Sequence, residues 1–394
     1  MEITQLTHGP LNHFFGYIGH VQNTPWNGND RFAIALRVGF QDHMPEIDEP
    51  AEIVLIDMEN GYEAHKIEEC RGWNPQQGTM FYWNPAKQET QFFFNDRDPE
   101  TNEVFCVLYD IEKRERIREY RDSDRPIGNS GVAQKGGSFL GLNYGRLAHL
   151  RRVTGYVGAR DFSEGVAHPE DDGIFQTGIE SGKQQLVVSY RQIADLLAED
   201  QPHVADIDLF INHTLWNRND DRIYFFARGG WSGQSVPRDK RINTPMTVRP
   251  DGSGLTIQQT FIGGHPDWEF GPNLIGRVDY DLVLYDSDRQ EIVKTIGSPE
   301  IFPDPEGDTS LAPSGEWIVT GWKHEGGNRY VIYRRSDGAW IHTEGIDQNG
   351  YTSGDLRNDP APTWNRAGNQ VMFPSVSGDE GRSRQMFLMK ILGG

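Results

Sequence analysis

The sequence predicts an all-β chain folded as a seven-bladed β-propeller whose ring is closed by the N-terminal strand. Three observations predict it. The 394 residues include 44 Gly and 22 Pro with 11% aromatic side chains, a mixture that suits many short strands joined by tight turns. A strand-turn-strand unit then recurs seven times: VLIDMENGYEAHKI (54–67), VLYDIEKRERI (107–117), IFQTGIESGKQQLVV (174–188), MTVRPDGSGLTI (246–257), LVLYDSDRQEIVKTI (282–296), YVIYRRSDGAWIHTE (330–344) and RQMFLMKIL (384–392). Each reads as a hairpin, an apolar run followed by a turn and a second β-rich run. Before each lies a second unit, a Trp or small residue, a polar turn and a strand, as in PWNGNDRFAIAL, YWNPAKQETQFFF, VAQKGGSFLGL, LWNRNDDRIYFFA, DWEFGPNLIGRVDYDLVLY, LAPSGEWIVTGW and TWNRAGNQVMFPS.

Seven paired units of roughly 40 to 55 residues make seven four-stranded blades, because an isolated blade cannot cover both of its faces and a ring of blades can. A pair of β-sandwiches would not require the same pattern seven times. Residues 1–394 are therefore read as one propeller domain. The last unit runs out of chain after two or three strands, so residues before about 25 supply its missing strand. One helical signal interrupts the pattern. SYRQIADLLAED (189–200) places Ile193, Leu196 and Leu197 on one face and reads as an insertion between blades three and four.

Charge narrows the partners. With 58 Asp and Glu against 38 Lys and Arg, the formal net charge is -20, which argues against nucleic acid and anionic membrane surfaces. No apolar stretch approaches the roughly 20 residues of a transmembrane helix. The opening MEITQLTHGPLNHFF has neither a basic n-region nor an apolar h-region, so no signal peptide is visible, and the expected location is the cytoplasm or that of a mature form whose signal has been removed. Two cysteines, Cys70 and Cys106, exclude a disulfide scaffold and have no zinc-site spacing.

Propellers bind ligands at the axial mouth of the central channel, so function is sought among residues that open onto it. The stretch GLNYGRLAHLRRVTGYVGAR (141–160) carries Arg146, His149, Arg151, Arg152 and Arg160 without one acid. A positive island in an acidic chain suits an anion; the other reading is that these arginines pair with acids elsewhere on the rim. Tyr144 and Tyr156 add phenols to the same stretch, either as reactive groups or packed with the hydroxyl on a backbone carbonyl. For Tyr144 to act as a base, neighbouring arginines would have to lower its pKa from about 10.

His213, in INHTLWNRNDDRIYFFAR, precedes a blade's Trp turn, and Arg228 ends the strand that follows. His265, in GGHPDWEFG, stands at the equivalent point one blade later, so the two imidazoles are expected to face one channel. Asn212, Gln77 and Tyr82 fall at comparable inner positions, and Trp231 is placed either to stack on a sugar or to pack. No nucleophile elbow, P-loop, dinucleotide fingerprint or HExxH occurs. The acid pairs Asp171–Asp172 and Asp220–Asp221 lie in turn contexts and do not indicate a glycosidase.

At these residues the chain resembles the seven-bladed propeller polysaccharide lyases, the oligogalacturonate lyase and ulvan lyase families, over nearly its full length. The resemblance rests on THGPLNHFFGY, QQGTMFYWNP, LNYGRLAHLR, the NHTLWN-to-FAR unit, RPDGSGL, GGHPDW, LAPSGEWIVT, and PTWNRAGNQVMF through RQMFLM. It implies β-elimination on an acidic oligosaccharide or polysaccharide of ulvan or pectate type. Tyr144, His213 and Arg160 are the implied catalytic residues, with Arg146 the alternative arginine. Arg146, Arg228, His265, Tyr82, Gln77 and Asn212 are the implied substrate contacts. An arginine would neutralise the uronate carboxylate while Tyr or His acts as base. The chain also departs from the pattern. Asp359 and Ala361 stand in NDPAPTW where oligogalacturonate lyases carry metal-binding histidines, Asp308 and Thr309 stand where another histidine is often seen, and Tyr82 occupies a place that ulvan-type relatives can fill with histidine. The implied chemistry thus requires no cofactor, leaving the neighbourhood of His265 as the one place for a divalent metal. The alternative is a non-catalytic propeller that binds an acidic glycan or a protein.

Overall fold

The computed structural model describes residues 1–16, 23–231, 236–305, 307–377 and 382–391. Residue 17 of the THGPLNHFFGY motif, residues 232–235 beside Trp231 and the last residue of the RQMFLMKIL unit lie outside the described residues. Among those described, the strands form seven antiparallel sheets, the blades of a propeller. Their innermost strands are Asn12–Phe14, Tyr82–Trp83, Gly128–Val132, Leu209–Trp216, Gly263–Trp268, Ser310–Leu311 and Thr363–Trp364, in blades one to seven. The Trp-turn units supply the inner two strands of the blades and the hairpin units the outer strands. Burial falls outward: Leu209–Trp216 is buried throughout, whereas Glu291–Thr295, on the outer edge of blade five, is exposed throughout. The outermost strand of blade seven is Glu2–Gln5, paired antiparallel with Arg384–Lys390, so the two ends of the chain share one sheet.

Three of the five recurring Trp tie neighbouring blades together through the indole N–H, whereas Trp26 and Trp216 Nε1 are buried without a hydrogen bond among the described residues. Trp83 Nε1 donates to the Pro25 carbonyl at 2.8 Å, Trp268 Nε1 to Leu215 at 3.0 Å and Trp364 Nε1 to Ser310 at 3.0 Å, each acceptor lying in the preceding blade. A large ring buried between sheets can keep its N–H satisfied this way. The polar turn after the Trp makes a second link. Asp220 of blade four accepts from the backbone N–H of Gln134 and Lys135 in blade three, at 2.6 and 2.7 Å. Asp30 of blade one likewise accepts from Arg366 and Ala367 of blade seven, at 2.9 and 3.0 Å, so the same latch joins the last blade to the first.

Two helices interrupt the sheets. Helix α1, Tyr144–Leu150, lies between the second and third strands of blade three, and helix α2, Tyr190–Leu197, lies between blades three and four. Ser189 and Gln192 form a reciprocal capping box on α2, and Ile193 and Leu197 are buried, so this helix follows its expected face and ends three residues earlier than 200. The α1 segment carries no helical periodicity over its seven residues. Asn143 caps it through Arg146 N, and two glycines dock it: a Cβ at Gly145 would strike the Arg160 carbonyl, and one at Gly155 the Ala148 backbone.

The α1 insertion is anchored on Asp172, whose carboxylate accepts from Ser163 Oγ at 2.6 Å, Asn143 Nδ2 at 2.9 Å and Gly173 N at 2.7 Å. Burial raises this carboxyl to about 6, more than Ser163 and Asn143 lower it. A folded-state pKa above the unfolded one means that the folded chain holds the proton more tightly. The group therefore disfavours folding above about pH 6, and that penalty fades as pH falls toward about 4, a span worth on the order of 3 kcal/mol. Chemical denaturation of wild type and Asp172→Asn at pH 7.5 and pH 5 checks this, with the difference between the two proteins expected to shrink at the lower pH. Cys70 and Cys106 are buried and unbridged. Among the described residues no helix is long and apolar enough to cross a membrane.

Candidate functional site

The upper mouth of the channel is the end at which each inner strand begins. Met80, His213, His265 and Ala361 hold one equivalent place there, three residues before Trp83, Trp216, Trp268 and Trp364. Their φ angles are left-handed, at 54°, 60°, 50° and 47°. For a non-glycine residue this region costs of order 1–3 kcal/mol and persists only where the surroundings impose it. The inner strand slips register between Asn212 and Leu215 and between Gly263 and Asp267, and such bulges re-aim a side chain out of the pleat. The rings of His213 and His265 consequently lie 5.2 Å apart, reaching toward each other from consecutive blades.

Asp308 continues the row. It stands three residues before Leu311, as His265 does before Trp268. Its Oδ1 holds His265 Nδ1, and its Oδ2 accepts from Ala361 N at 2.8 Å. A carboxylate on Nδ1 keeps the proton there and gives Nε2 the basic lone pair.

Beside this row opens a cavity of about 430 Å³ lined by His265, Asp308, Trp322, Lys323, Arg357 and Asp359. Asp359 Oδ1 accepts from Arg357 Nε at 2.9 Å and from Lys323 Nζ at 3.0 Å. Burial by itself would raise that carboxyl, but the charges of Arg357 and Lys323 hold it below the ordinary carboxylate range. On the blade-four side, Arg228 Nη1 donates to Asn212 Oδ1 at 2.7 Å and lies 3.3 Å from His213 Nε2. Its guanidinium covers Phe226, and both Arg228 and Arg241 sit over the Trp231 ring. Trp231 itself packs edge-on against Phe210.

Arg151, which follows α1, is half-buried at the same mouth. Burial lowers its pKa, and the like charges of Arg357 and Arg241 lower it further against the opposing pull of Asp355. Among the described residues neither Arg151 nor Arg241 makes an ion pair with a carboxylate, although Asp355 lies near enough to act on Arg151. Arginines held near one another in this way can receive an anion.

The structure brings His213, His265, Arg228 and Asn212 together and separates them from the other expected residues. Tyr144 is corrected from catalytic base to core residue. Its ring stacks on Tyr156 at 4.2 Å, its hydroxyl donates to the Asn129 carbonyl at 3.0 Å, and burial pushes the phenol up instead of down. Tyr144→Phe is accordingly expected to leave turnover at the wild-type rate and to cost about 1 kcal/mol of stability, read by urea denaturation. Arg146 is corrected from substrate contact to scaffold. Only 2% exposed, it donates to the carbonyls of Leu209, Val166 and Ala167 and to Ser163 Oγ, and stacks on Tyr190. Arg160 pairs with Glu103 at 3.4 Å and bonds the Ser123 carbonyl, in the loops of blade two, and is not among the residues lining the cleft. Tyr82 and Gln77 are both buried, Tyr82 in the core shared by blades two to four and Gln77 in the connection before blade two with its N–H on Asn74 Oδ1 at 2.7 Å.

A divalent metal near His265 does not fit this donor set. Among the described residues no group of three or more His, Cys, Asp or Glu side chains could hold one. The positive charge that a metal would bring to Asp359 is supplied by Lys323 and Arg357.

No family model matches the chain, and no curated protein matches it. Solved structures do. The β-propeller domain of the Trilobed protease from Pyrococcus furiosus is 12% identical with a TM-score of 0.49, over 94% of both chains. The Myceliophteria thermophila Cps50 (Swd1) β-propeller domain is 10% identical with a TM-score of 0.48, over 97% of this chain and 100% of that one. A prolyl endopeptidase is 8% identical with a TM-score of 0.50, over 95% of this chain and 47% of that one. At such identities the likeness concerns the fold alone, and function rests on the upper mouth.

Proposed function

We propose that the upper mouth binds a uronate-containing glycan and cleaves it by β-elimination, with His265 as the base. The observation that carries this reading is the Asp308–His265 pair at the wall of a cavity lined also by Lys323 and Arg357, with Arg151 close enough to feel the charges of Arg357 and Arg241. Elimination needs a cation on the uronate carboxylate, a base near C5 and a proton for the departing O4. Arg151 and Arg241 suit the first requirement, because a planar guanidinium pairs bidentately with carboxylate and stabilises the enolate-like charge. His265 Nε2 takes the C5 proton, the C5–H electron pair becomes the C4=C5 double bond, the C4–O4 bond breaks with its electron pair leaving on O4, and the His265 imidazolium returns the proton to O4. Asp308 stabilises the imidazolium so formed. His213 and Arg228 would flank the adjoining sugar, and Trp322 offers a flat apolar wall.

The second reading is a propeller that binds the acidic glycan without turnover. It is favoured by the pairing of Lys323 and Arg357 with Asp359, which makes part of the cleft a finished ion-pair network. One assay separates the two. The protein is incubated with polyglucuronate, polygalacturonate and a sulfated ulvan-type polymer, and the conjugated product is followed by its ultraviolet absorbance. Growth of that band, dependent on His265, supports elimination; saturable binding with no band supports the binder.

A further inference from the structure

The opposite end of the channel has a second cavity, of about 250 Å³, lined by Asn23, Thr24, Gln88, Ser310, Thr363 and Arg366. It lies where the inner strands of blades six and seven end and the turns of blades one and two meet them. Its one cationic lining residue is Arg366, whose N–H latches blade seven to Asp30. The side chain is a different matter. Asp30 is the one acid that raises the pKa of Arg366, yet its two oxygens accept from Arg366 N, Ala367 N and Asn365 Nδ2 at 2.9, 3.0 and 2.9 Å. The Arg366 guanidinium bonds to none of the described residues, and its Nε is buried.

The same turn in blade four carries Arg218, which follows Asn217 as Arg366 follows Asn365; it donates its Nε to the Trp268 carbonyl at 2.9 Å and faces Asp267 at 3.9 Å, while its two Nη atoms are buried without a hydrogen bond among the described residues. Arg366 has neither acceptor. Its Nε is buried without a hydrogen bond while the residue as a whole is half-buried, and burial depresses the pKa of the group to about 10. Asn23 Oδ1 is a second buried polar atom in this cavity without a hydrogen bond among the described residues. Two neighbouring hydroxyls are already spent, Thr24 Oγ1 on the Trp364 carbonyl and Thr363 Oγ1 on the Asn23 carbonyl, both at 2.9 Å.

We propose that this lower mouth is a binding site for a small hydroxylated oxyanion, its carboxylate or phosphate forked by Arg366 and its hydroxyl received by Asn23. The guanidinium fork matches either anion. The volume lies below the roughly 300–1,000 Å³ of sites that enclose drug-sized ligands, so the ligand has only a few heavy atoms. The site is independent of the chemistry assigned to the upper mouth.

Isothermal titration calorimetry on the full chain tests it, with D-glycerate and glycerol 3-phosphate as the two hydroxylated probes and acetate and inorganic phosphate as their hydroxyl-free counterparts. At least one hydroxylated probe is expected to bind saturably, with about tenfold or greater weakening in Arg366→Gln and a smaller loss in Asn23→Ala. Whichever probe binds identifies the anion as carboxylate or phosphate. Should Arg366→Gln fail to fold, Asn23→Ala with Arg366→Lys carries the test, the lysine keeping charge but losing the fork. Absence of binding by both hydroxylated probes, or equal binding by wild type and Arg366→Gln, overturns the proposal. So does binding that is lost on His265→Asn and retained on Arg366→Gln, since that assigns the anion to the upper mouth.

Discussion

Under the proposed β-elimination, His265→Asn is expected to lower turnover of the acidic glycan by about 10²- to 10⁴-fold, the range for loss of a general base, with little change in melting temperature. Asparagine is chosen because it tolerates the left-handed backbone at this position, φ 50°. The effect is expected in kcat more than in KM, because in the proposed mechanism the imidazole acts on the C5 proton while Arg151 and Arg241 hold the carboxylate. Asp308→Asn is expected to fall in the same direction, since an amide can present the wrong partner to Nδ1 and release the ring tautomer. Its Oδ can still accept from Ala361 N, so the blade-six to blade-seven link is retained. Progress curves of the conjugated product for both variants check this. Wild-type kcat in His265→Asn would remove the base assignment.

Arg146→Ala is expected to produce the largest loss of stability, about 3 kcal/mol or more. The arginine serves the carbonyls of Leu209, Val166 and Ala167 at 2.7, 3.0 and 2.7 Å, and each buried acceptor left without a donor costs about 1–3 kcal/mol. Its stack on Tyr190, 4.5 Å from the ring centroid, joins the α1 insertion to α2 and is lost as well. Urea denaturation measures the change. A variant with wild-type stability and lost glycan binding would return Arg146 to a substrate contact.

The blades were legible because each repeats a physical task. A Trp whose N–H reaches the preceding blade and a turn Asp that latches the blade beside it leave the same signature wherever they occur, as at Trp268 and Asp220. His213 and His265 were legible for the same reason, since equal distance from the blade Trp implies equal height in the channel. Asp308 obeys that spacing too, but blade six has Leu311 in place of the Trp, so the residue stands out only as a departure from a family pattern. The acid-free stretch 141–160 misled in part because the lack of local acids does not show where a guanidinium ends. Arg146 turns into backbone carbonyls, Arg160 finds Glu103 in another blade, and Arg151 alone of the three meets the charges of Arg357 and Arg241 at the mouth. Lys323, Arg357 and Asp359 come from a strand end and a blade connection more than thirty residues apart, and no local pattern marks them as a group.

The central claim is that the acidic glycan lies at the upper mouth between His265 and the arginine rim. A crystal structure of His265→Asn soaked with a uronate tetrasaccharide tests it most directly. The account predicts sugar density in the cavity lined by Asp308, Lys323 and Arg357, with a carboxylate within hydrogen-bond reach of Arg151 or Arg241. Density seated on Arg160 and Glu103, or an empty upper mouth in a protein that binds the sugar in solution, would contradict it.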